Sequence, residues 1–365
     1  MRRFSALIVF FLFLLSLANP LWAEDNIANP LVRSHIPSLT QITRFSGEIR
    51  LCGIQIPYEN PEIRERLEKE MMLSVWNRPQ VILWLKRANR YFPHIEDILK
   101  QENLPIDLKY LPIVESALLP HSRSGKGAVG YWQFLKSTGR RYGLRIDNKI
   151  DERKNLFKST KAACLYLKKL KADFGSYLLA ISAYNMGEFG LAREIEAQET
   201  RDFFSLYLPL ETQRYLLKIV AAKRIIENPD FYGFNMSPQD LYPVFTYSKI
   251  NFSVKGEIPL SLIATAADIS FKTLKDYNPE IRGYYLEGKN TILVPKGSEK
   301  GFKQKFTLFH KAWQKKDKVK LHVVRAGESL TGIAIQYEMT LSALLRLNKL
   351  SYKKVIHPGD RLLVR

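Results

Sequence analysis

The sequence predicts a mainly α-helical domain followed by two small α+β modules of strand–helix–helix–strand (βααβ) order. Between residues 61 and 231, apolar residues recur at the three- and four-residue spacing of amphipathic helices. Residues with strand character come only after about residue 245. From there the chain repeats itself at a constant offset of 70 residues, which indicates two copies of one small fold.

The N-terminus has the pattern of a secretory signal, which we place at residues 1–23. A basic start at Arg2 and Arg3 precedes an apolar run from Ala6 to Ala18, and Ala23 is the small residue before the expected cut. The run is shorter than the about 20 residues that span a bilayer. We therefore favour a cleaved signal over an uncleaved anchor. No cysteine directly follows the run, so we expect export to the periplasm or cell envelope without a lipid anchor.

The formal net charge is +20, and more than half of it lies near the C-terminus. From Lys300 onward, fifteen lysines and arginines oppose four acidic residues, which gives +11. Such a field attracts polyanions. In an exported protein we expect anionic envelope polymers or lipid head groups as partners; nucleic acid is not expected, because no nucleic-acid-binding motif accompanies the charge. Cys52 and Cys164 permit one disulfide, but the helical apolar surroundings of Cys164 favour two separate thiols.

The helical part divides into two predicted regions. Residues 24–100 form an N-terminal extension that is partly helical, with helical periodicity from Pro61 onward. Residues 101–231 form the main helical domain. Its expected helices run from Asp107 to Ala117, from Ser159-Thr160 through Leu170, from Tyr177 to Tyr184 and from Glu211 to Ile226.

The C-terminal part contains two copies of the repeat. The first copy covers residues 245–296, a basic linker with some helix covers 297–320, and the second copy covers 321–365. The matching pairs are Val254/Val324, Leu260/Leu330, Ile263-Ala264/Ile333-Ala334, Leu274/Leu344, Asn278/Asn348 and Leu293-Val294/Leu363-Val364. Their ungapped phase predicts the same βααβ order in both copies.

Glu115 is the strongest candidate for a catalytic group. It follows an apolar stretch that begins at Leu111, and an apolar setting keeps a carboxyl group protonated near neutral pH. A protonated carboxyl can donate its proton to a glycosidic oxygen. Ser124 and Gln133 follow nine and eighteen residues later, with the small residues Gly127, Ala128 and Gly130 between them, where a sugar must approach the backbone.

Together with Ala183-Tyr184-Asn185-Met186-Gly187 and the segment from Pro209 to Tyr215, these residues resemble the soluble lytic transglycosylase catalytic domain. That domain has a lysozyme-like fold and cuts bacterial cell-wall glycan. The resemblance implies that Glu115 is the catalytic acid. It implies substrate-binding roles for Ser124, Gly130, Gln133, Tyr184, Asn185 and Tyr215. We expect Trp132, in contrast, to lie in the core.

The second copy of the repeat is similar to a LysM module, a glycan-binding fold. Gly327 permits the turn after the first strand, and Ser329 can cap the following helix. The resemblance implies glycan contacts at Gly327, Glu328, Ser329 and Asn348. The first copy lacks the Gly-Glu-Ser turn and looks like a degenerate LysM module, which either binds glycan or serves only for packing. The order of export signal, helical domain and LysM repeats resembles the membrane-bound lytic transglycosylase D type.

The resemblance implies a lytic transglycosylase that cleaves peptidoglycan between N-acetylmuramic acid (MurNAc) and N-acetylglucosamine (GlcNAc) and leaves a 1,6-anhydro-MurNAc end. This reaction needs one carboxylate and no metal or cofactor. A hydrolytic muramidase is the alternative, and it requires a second carboxylate to activate water. The candidates are Glu188, Glu211, Asp147 and Asp151. A third hypothesis is a wall-binding scaffold without activity. The six histidines have no metal-ligand spacing.

Overall fold

The computed structural model describes residues 37–316 and 320–364, without the side chains of 315 and 316. The predicted signal at residues 1–23 therefore lies outside the described residues. The helical part has the order α1 (Leu39–Ile42), β1 (Arg50–Leu51), β2 (Ile54–Gln55), α2 (Pro61–Trp76), α3 (Arg78–Gln101), α4 (Leu111–Ser116), α5 (Lys136–Arg141), α6 (Leu156–Phe174), α7 (Tyr177–Met186), α8 (Glu188–Gln198) and α9 (Leu210–Glu227). None of the helices within the described ranges is long and apolar enough to cross a membrane.

The described part of the predicted N-terminal extension shares one hydrophobic core with the main helical domain. Buried residues from Ile42 to Phe234 form a single cluster. Helix α2 packs along α9, and α3 packs against α6. The buried Glu70 of α2 accepts a 2.5 Å hydrogen bond from Arg214 of α9. The predicted boundary at residue 100 therefore does not separate two packing units, because the apolar faces of α2 and α3 are buried against helices from beyond it.

Local capping explains where the central helices begin and end. The side chain of Asn155 accepts a hydrogen bond from the Lys158 amide, so α6 begins at Leu156. The predicted start of this helix, Ser159, instead lies inside it. The Ser159 hydroxyl donates a hydrogen bond to the Asn155 carbonyl. Gly175 ends α6 in the left-handed conformation, and Ser176 caps α7.

The two copies of the repeat have the predicted βααβ order. The first contains β3 (Ser248–Pro259), α10 (Leu260–Ala266), α11 (Phe271–Tyr277) and β4 (Tyr285–Val294). After α12 (Phe302–Lys316), the second contains β5 (Lys320–Val323), α13 (Leu330–Gln336), α14 (Leu341–Leu347) and β6 (Arg361–Val364). The strands of each copy pair antiparallel. Both helices recur at the 70-residue offset with the same bounds, so the repeat in sequence is a repeat in structure.

The lysine-rich segment that the sequence analysis describes as a linker forms α12, and this helix packs onto the first module. Phe302 and Phe306 are buried in that module's hydrophobic cluster. Helix α12 packs mainly against α10. Lysines on its other faces remain exposed. These charged residues make the apolar face of the helix hard to recognise in the sequence. The first module therefore extends at least to the end of α12.

The first module is also joined to the helical domain by backbone contacts. Ile150 and Ile281 form an antiparallel bridge, and Ile150 is buried in the module's own cluster. The Asp151 amide donates to the Glu280 carbonyl at 2.8 Å, and the Arg282 amide donates to the Lys149 carbonyl at 2.7 Å. Within residues 37–316, the first module is thus attached next to the loop that precedes α6.

Candidate active site

Glu115 lies on α4, a short helix whose apolar residues are buried. Leu111 and Ile113 belong to the core, and the next residue, Ser116, donates its hydroxyl to the Tyr131 carbonyl at 2.7 Å. The helix ends at Ala117, which has a left-handed conformation, as does Leu118. This arrangement fixes the Glu115 side chain at the end of a rigid element and beside the segment that contains Tyr131.

The surroundings of Glu115 favour its protonated form. The pKa of its carboxyl group is raised from the usual 4.5 to about 7, mainly by burial and to a smaller extent by the charge of Glu211. A hydrogen bond from the Tyr215 hydroxyl, 2.5 Å from Oε1, acts in the opposite direction. Tyr215 is itself buried, and its own pKa lies well above the usual value because of that burial and the charge of Glu115. At neutral pH, Glu115 can therefore act both as an acid and as a base.

A tight turn over residues 122–134 carries the next group of predicted residues. The Gly130 amide donates to the Ser122 carbonyl, and Val129 pairs with Arg123 and Phe134 in isolated antiparallel bridges. Gln133 has a left-handed backbone. Its side-chain nitrogen donates to the carbonyls of Ser122 and Gly130, at 3.2 and 2.9 Å. The Gln133 side chain is thus held in one orientation, and its carbonyl oxygen has no protein partner within the described ranges.

Gly130 is required for a reason that differs from the predicted one. A Cβ atom at this position would lie 1.9 Å from the carbonyl oxygen of Arg153, and its φ of +89° is unfavourable for other residues. The close neighbour of this glycine is therefore protein backbone. The approach of a sugar to Gly130 remains a prediction.

Ser124 is exposed and supports its own turn. Its hydroxyl accepts the Ala128 amide at 3.1 Å, and its carbonyl accepts the Gly127 amide. In the described part of the chain, it makes no hydrogen bond to Glu115. The substrate-binding role of Ser124 remains a prediction.

Tyr184 and Asn185 close the other side of the site from the end of α7. The Tyr184 hydroxyl donates to the Trp132 carbonyl at 2.6 Å, and the charge of Glu115 contributes, after burial, to a raised pKa of this tyrosine. The side-chain oxygen Oδ1 of Asn185 accepts a hydrogen bond from the Thr212 hydroxyl at 3.0 Å. Trp132 is fully buried and bonds to Thr160, as expected of a core residue. The structure thus brings α4, α7, α9 and the turn together around Glu115.

Three of the four candidate second carboxylates are engaged in ion pairs. Asp147 pairs with Arg145, Asp151 pairs with two arginines, and Glu188 pairs with Arg141 at 2.9 Å. Glu211 is exposed in the first turn of α9, and its charge acts on Glu115. Among the four, Glu211 is therefore the one positioned to influence the carboxyl group of Glu115. No cluster of three metal-ligating side chains is found in the described ranges.

The predicted glycan-binding residues of the second module all have structural roles. Glu328 accepts hydrogen bonds from His322 at 2.8 Å and from the Arg325 amide at 2.7 Å. Ser329 caps α13, and Gly327 has a φ of +83° in the turn before it.

Asn348 joins α14 to the last strand. Its amide nitrogen donates to the carbonyls of Leu344 and Leu363, and its oxygen accepts the Leu363 amide. Asn278 makes the same three bonds in the first module, to Leu274 and Leu293. Both amide hydrogens of Asn348 and one acceptor position of its oxygen are thus used by the fold, which argues against a glycan contact through its amide nitrogen.

Arg153 is the residue near the site that sequence reasoning missed. It is buried, and its Nη1 atom donates to the carbonyls of Gly127 and Phe134 at 3.2 and 3.1 Å. These two carbonyls lie on either side of Gln133 and Gly130 in the turn. The only signal in the sequence is an arginine within the charged run from Asp151 to Lys154, a pattern that is usually exposed.

Comparison with known proteins assigns the same regions. Residues 93–206 match the Transglycosylase SLT domain, residues 251–310 the LysM-like domain of lytic transglycosylase MltD, and residues 322–365 the LysM domain. The second of these ranges includes part of α12, in agreement with its packing. Cys52 and Cys164 are separate thiols in the structure.

Individual relatives cover the chain to different extents. The peptidoglycan transglycosylase gp16 of Escherichia phage T7 is 36% identical over 27% of this chain and 8% of its own. The solved structure of the 70 kDa soluble lytic transglycosylase SLT70 from Escherichia coli matches 52% of this chain and 37% of its own, at 16% identity and a TM-score of 0.35, which is too weak to support a conclusion. The membrane-bound lytic murein transglycosylase D of Escherichia coli K12 is 32% identical over 335 residues, which are 88% of this chain and 72% of that protein. At that identity and coverage, the chain belongs to the family of membrane-bound lytic murein transglycosylase D.

Proposed function

We propose that this protein is a peptidoglycan lytic transglycosylase and that Glu115 is its catalytic acid and base. The observation that carries the proposal is the carboxyl group of Glu115, whose pKa is raised to about 7 by burial while it accepts a hydrogen bond from Tyr215. A group with this pKa is populated in both protonation states near neutral pH, as a residue that first donates and then accepts a proton requires.

In the proposed reaction, Glu115 protonates the oxygen between MurNAc and GlcNAc, and the glycosidic bond breaks. The N-acetyl group of the MurNAc residue stabilises the positive charge at its anomeric carbon. Glu115, now ionised, removes the proton of the MurNAc 6-hydroxyl, and that oxygen closes a 1,6-anhydro ring on the anomeric carbon. The proton returns to Glu115, so one carboxyl group completes the cycle. No water enters the product.

The neighbouring polar groups supply substrate contacts in this proposal. Gln133 offers its free carbonyl oxygen, and Asn185 offers an amide nitrogen that is unbonded among residues 37–316 and 320–364. Tyr184 is held by Trp132 and forms the wall of the site next to Glu115. We expect Ser124 to contact either the substrate or the Glu115 carboxylate when glycan is bound.

Hydrolysis by a muramidase is the second candidate, and one observation favours it. Glu211 is an exposed carboxylate whose charge reaches Glu115. A carboxylate on the far side of the sugar could activate water in an inverting mechanism. The two reactions give different ends, since hydrolysis leaves a reducing end one water heavier than the anhydro product.

The second LysM module is proposed to hold the enzyme on glycan strands that contain GlcNAc. Because the side chains of its turn and of Asn348 support the fold, we expect binding through backbone groups. Export to the periplasm or cell envelope accompanies this function, in which the positive charge from Lys300 onward attracts anionic envelope polymers or lipid head groups. Deletion of 321–365 should weaken the sedimentation of the protein with purified sacculi; unchanged sedimentation would argue against a binding role for the module.

The decisive experiment is mass spectrometry of the fragments that the protein releases from purified sacculi, with Glu115→Gln as the control. Fragments with 1,6-anhydro-MurNAc ends would support the transglycosylase. Reducing ends would support the muramidase and lead to Glu211. Sacculus binding without release by the wild-type protein would favour the non-catalytic scaffold.

A further inference from the structure

The turn that carries Gln133 is held by a chain of charged contacts that begins in the first LysM-like module. Arg153 is 5% exposed, and its guanidinium makes a two-point ion pair with Asp151, at 2.8 and 2.9 Å. Its remaining nitrogen, Nη1, holds the carbonyls of Gly127 and Phe134. The orientation of this guanidinium therefore sets the distance between Gly127 and Phe134 within the turn.

Asp151 has a second partner, and this partner comes from the module. Arg282 donates to Oδ2 of Asp151 at 2.5 Å, while the Asp151 side chain is only 1% exposed. Burial alone would raise the pKa of this carboxyl, but the hydrogen bonds from Arg153 and Arg282 lower it to about 2. A buried carboxylate that loses one of two cationic partners is poorly compensated and moves toward solvent or toward the remaining partner.

The backbone of Arg153 is part of the same support. Its carbonyl oxygen occupies the space beside Gly130, where a Cβ atom would lie at 1.9 Å. A shift of residues 151–153 would therefore displace Gly130 as well as Gly127 and Phe134. In a packed site, a displacement of about 1 Å is enough to lower a rate by roughly 100-fold.

We propose that Arg282 is a positioning residue of the active site. Through Asp151 and Arg153 it fixes the turn over residues 122–134, and with it the Gln133 side chain. The first LysM-like module is then a structural part of the catalytic unit, in addition to any binding of glycan. This inference rests on the proposed function, because it assigns Gln133 to the substrate site.

The test is the replacement Arg282→Ala in the full chain. The Arg282 side chain is 42% exposed, so its truncation leaves no buried cavity. The bridge between Ile150 and Ile281 and its flanking backbone hydrogen bonds do not involve this side chain, which keeps the module attached. We expect faster amide hydrogen exchange in residues 122–134 and a fall of about 10-fold in kcat/KM on soluble glycan fragments. Arg282→Lys, which keeps the charge, should recover part of the loss.

Lys149→Met is the matched control. Lys149 crosses the same interface to Glu257 and Glu287, at 2.9 and 2.8 Å, but its side chain does not contact Asp151 or Arg153. This variant weakens the attachment without reaching the turn, so exchange in residues 122–134 and kcat/KM should remain at the wild-type level. A loss equal to that of Arg282→Ala would assign the effect to general loosening and overturn the proposal.

A double-mutant cycle with Gln133→Ala gives a second readout that a merely structural role would not produce. If Arg282 acts through the turn, the double variant should be about as active as Gln133→Ala alone, since coupled residues are not additive. Additive effects, or unchanged exchange in the turn of Arg282→Ala, would overturn the proposal. Failure of the proposed function would be seen in the wild-type protein, which would then release either no fragments or only fragments with reducing ends, whatever the exchange of the turn.

Discussion

Tyr215 sets the balance between the two protonation states of Glu115, and Tyr215→Phe tests that balance. The tyrosine is 5% exposed and remains a donor at every relevant pH, because burial and the charge of Glu115 hold its pKa well above the usual value. Its hydroxyl lies 2.5 Å from Oε1 of Glu115 and favours the ionised carboxylate. The phenylalanine variant keeps the ring and removes only this stabilisation.

The size of the effect follows from the type of bond. A hydrogen bond to a charged group contributes about 1.5–3 kcal/mol. At about 1.4 kcal/mol per pKa unit, its loss should raise the pKa of Glu115 by roughly one to two units above its present value. The active acid form would then persist to higher pH, so the alkaline limb of the activity profile should move upward by a similar amount.

The assay is the pH dependence of kcat/KM on soluble glycan fragments, which reports groups of the free enzyme. Tyr110→Phe is the matched control, since Tyr110 is equally buried and donates its hydroxyl to Glu227 at 3.1 Å, away from Glu115. The control should keep the wild-type profile. An alkaline limb that stays in place or moves to lower pH in Tyr215→Phe would refute the assignment of Glu115 as the titrating acid.

Two further predictions concern stability as well as activity. Glu115→Gln should abolish glycan release but not sacculus binding. Because folding raises the pKa of Glu115 from 4.5 to about 7, the stability that depends on its protonated form is fully present below pH 4.5 and is lost as the pH rises through 7. In urea melts, the free energy of unfolding of the variant should therefore gain up to about 3 kcal/mol on that of the wild type between pH 4.5 and 8. A difference that stays constant with pH would contradict the shift. Gly130→Ala should lower the free energy of unfolding by about 3 kcal/mol or more, since the new Cβ would meet the Arg153 carbonyl. Gly127→Ala has a similar φ of +83° but open space around its Cβ, so it should cost only about 1 kcal/mol. Equal losses in the two variants would mean that the contact with Arg153 relaxes.

The sequence predicted those parts of the structure that depend on local pattern. The helical periodicity located α6, α7 and α9 but not the shorter α5 and α8, and the 70-residue offset located both modules with the correct order of elements. The resemblance grouped Tyr215 with Glu115 in one site, and in the structure the Tyr215 hydroxyl bonds Glu115 across 100 residues of chain. Their roles in binding and catalysis remain predictions.

Contacts between distant segments without a shared motif could not be predicted. Glu70 and Arg214 are 144 residues apart, and neither lies in a pattern that indicates a buried ion pair. The same is true of Arg282 and Asp151, which are 131 residues apart. From sequence alone, Asp151 was a candidate for the second carboxylate. Its ion pairs with two arginines in the structure show that its charge supports the fold. A buried charge is interpretable only with its partner, which the local sequence does not contain.

In the internal repeat, the residues that the two copies share support the fold, and the residues that differ make contacts specific to each copy. Residues identical in both copies, such as Asn278 and Asn348, make identical hydrogen bonds and therefore belong to the fold. Where the copies differ, the structures diverge: β3 continues to Pro259, whereas the second copy has the turn that contains Gly327. The first copy uses its differing segment, from Glu280 to Arg282, to contact the helical domain. Glycan contacts of the second module should therefore be sought at positions that differ between the copies, since the shared positions are already occupied by the fold.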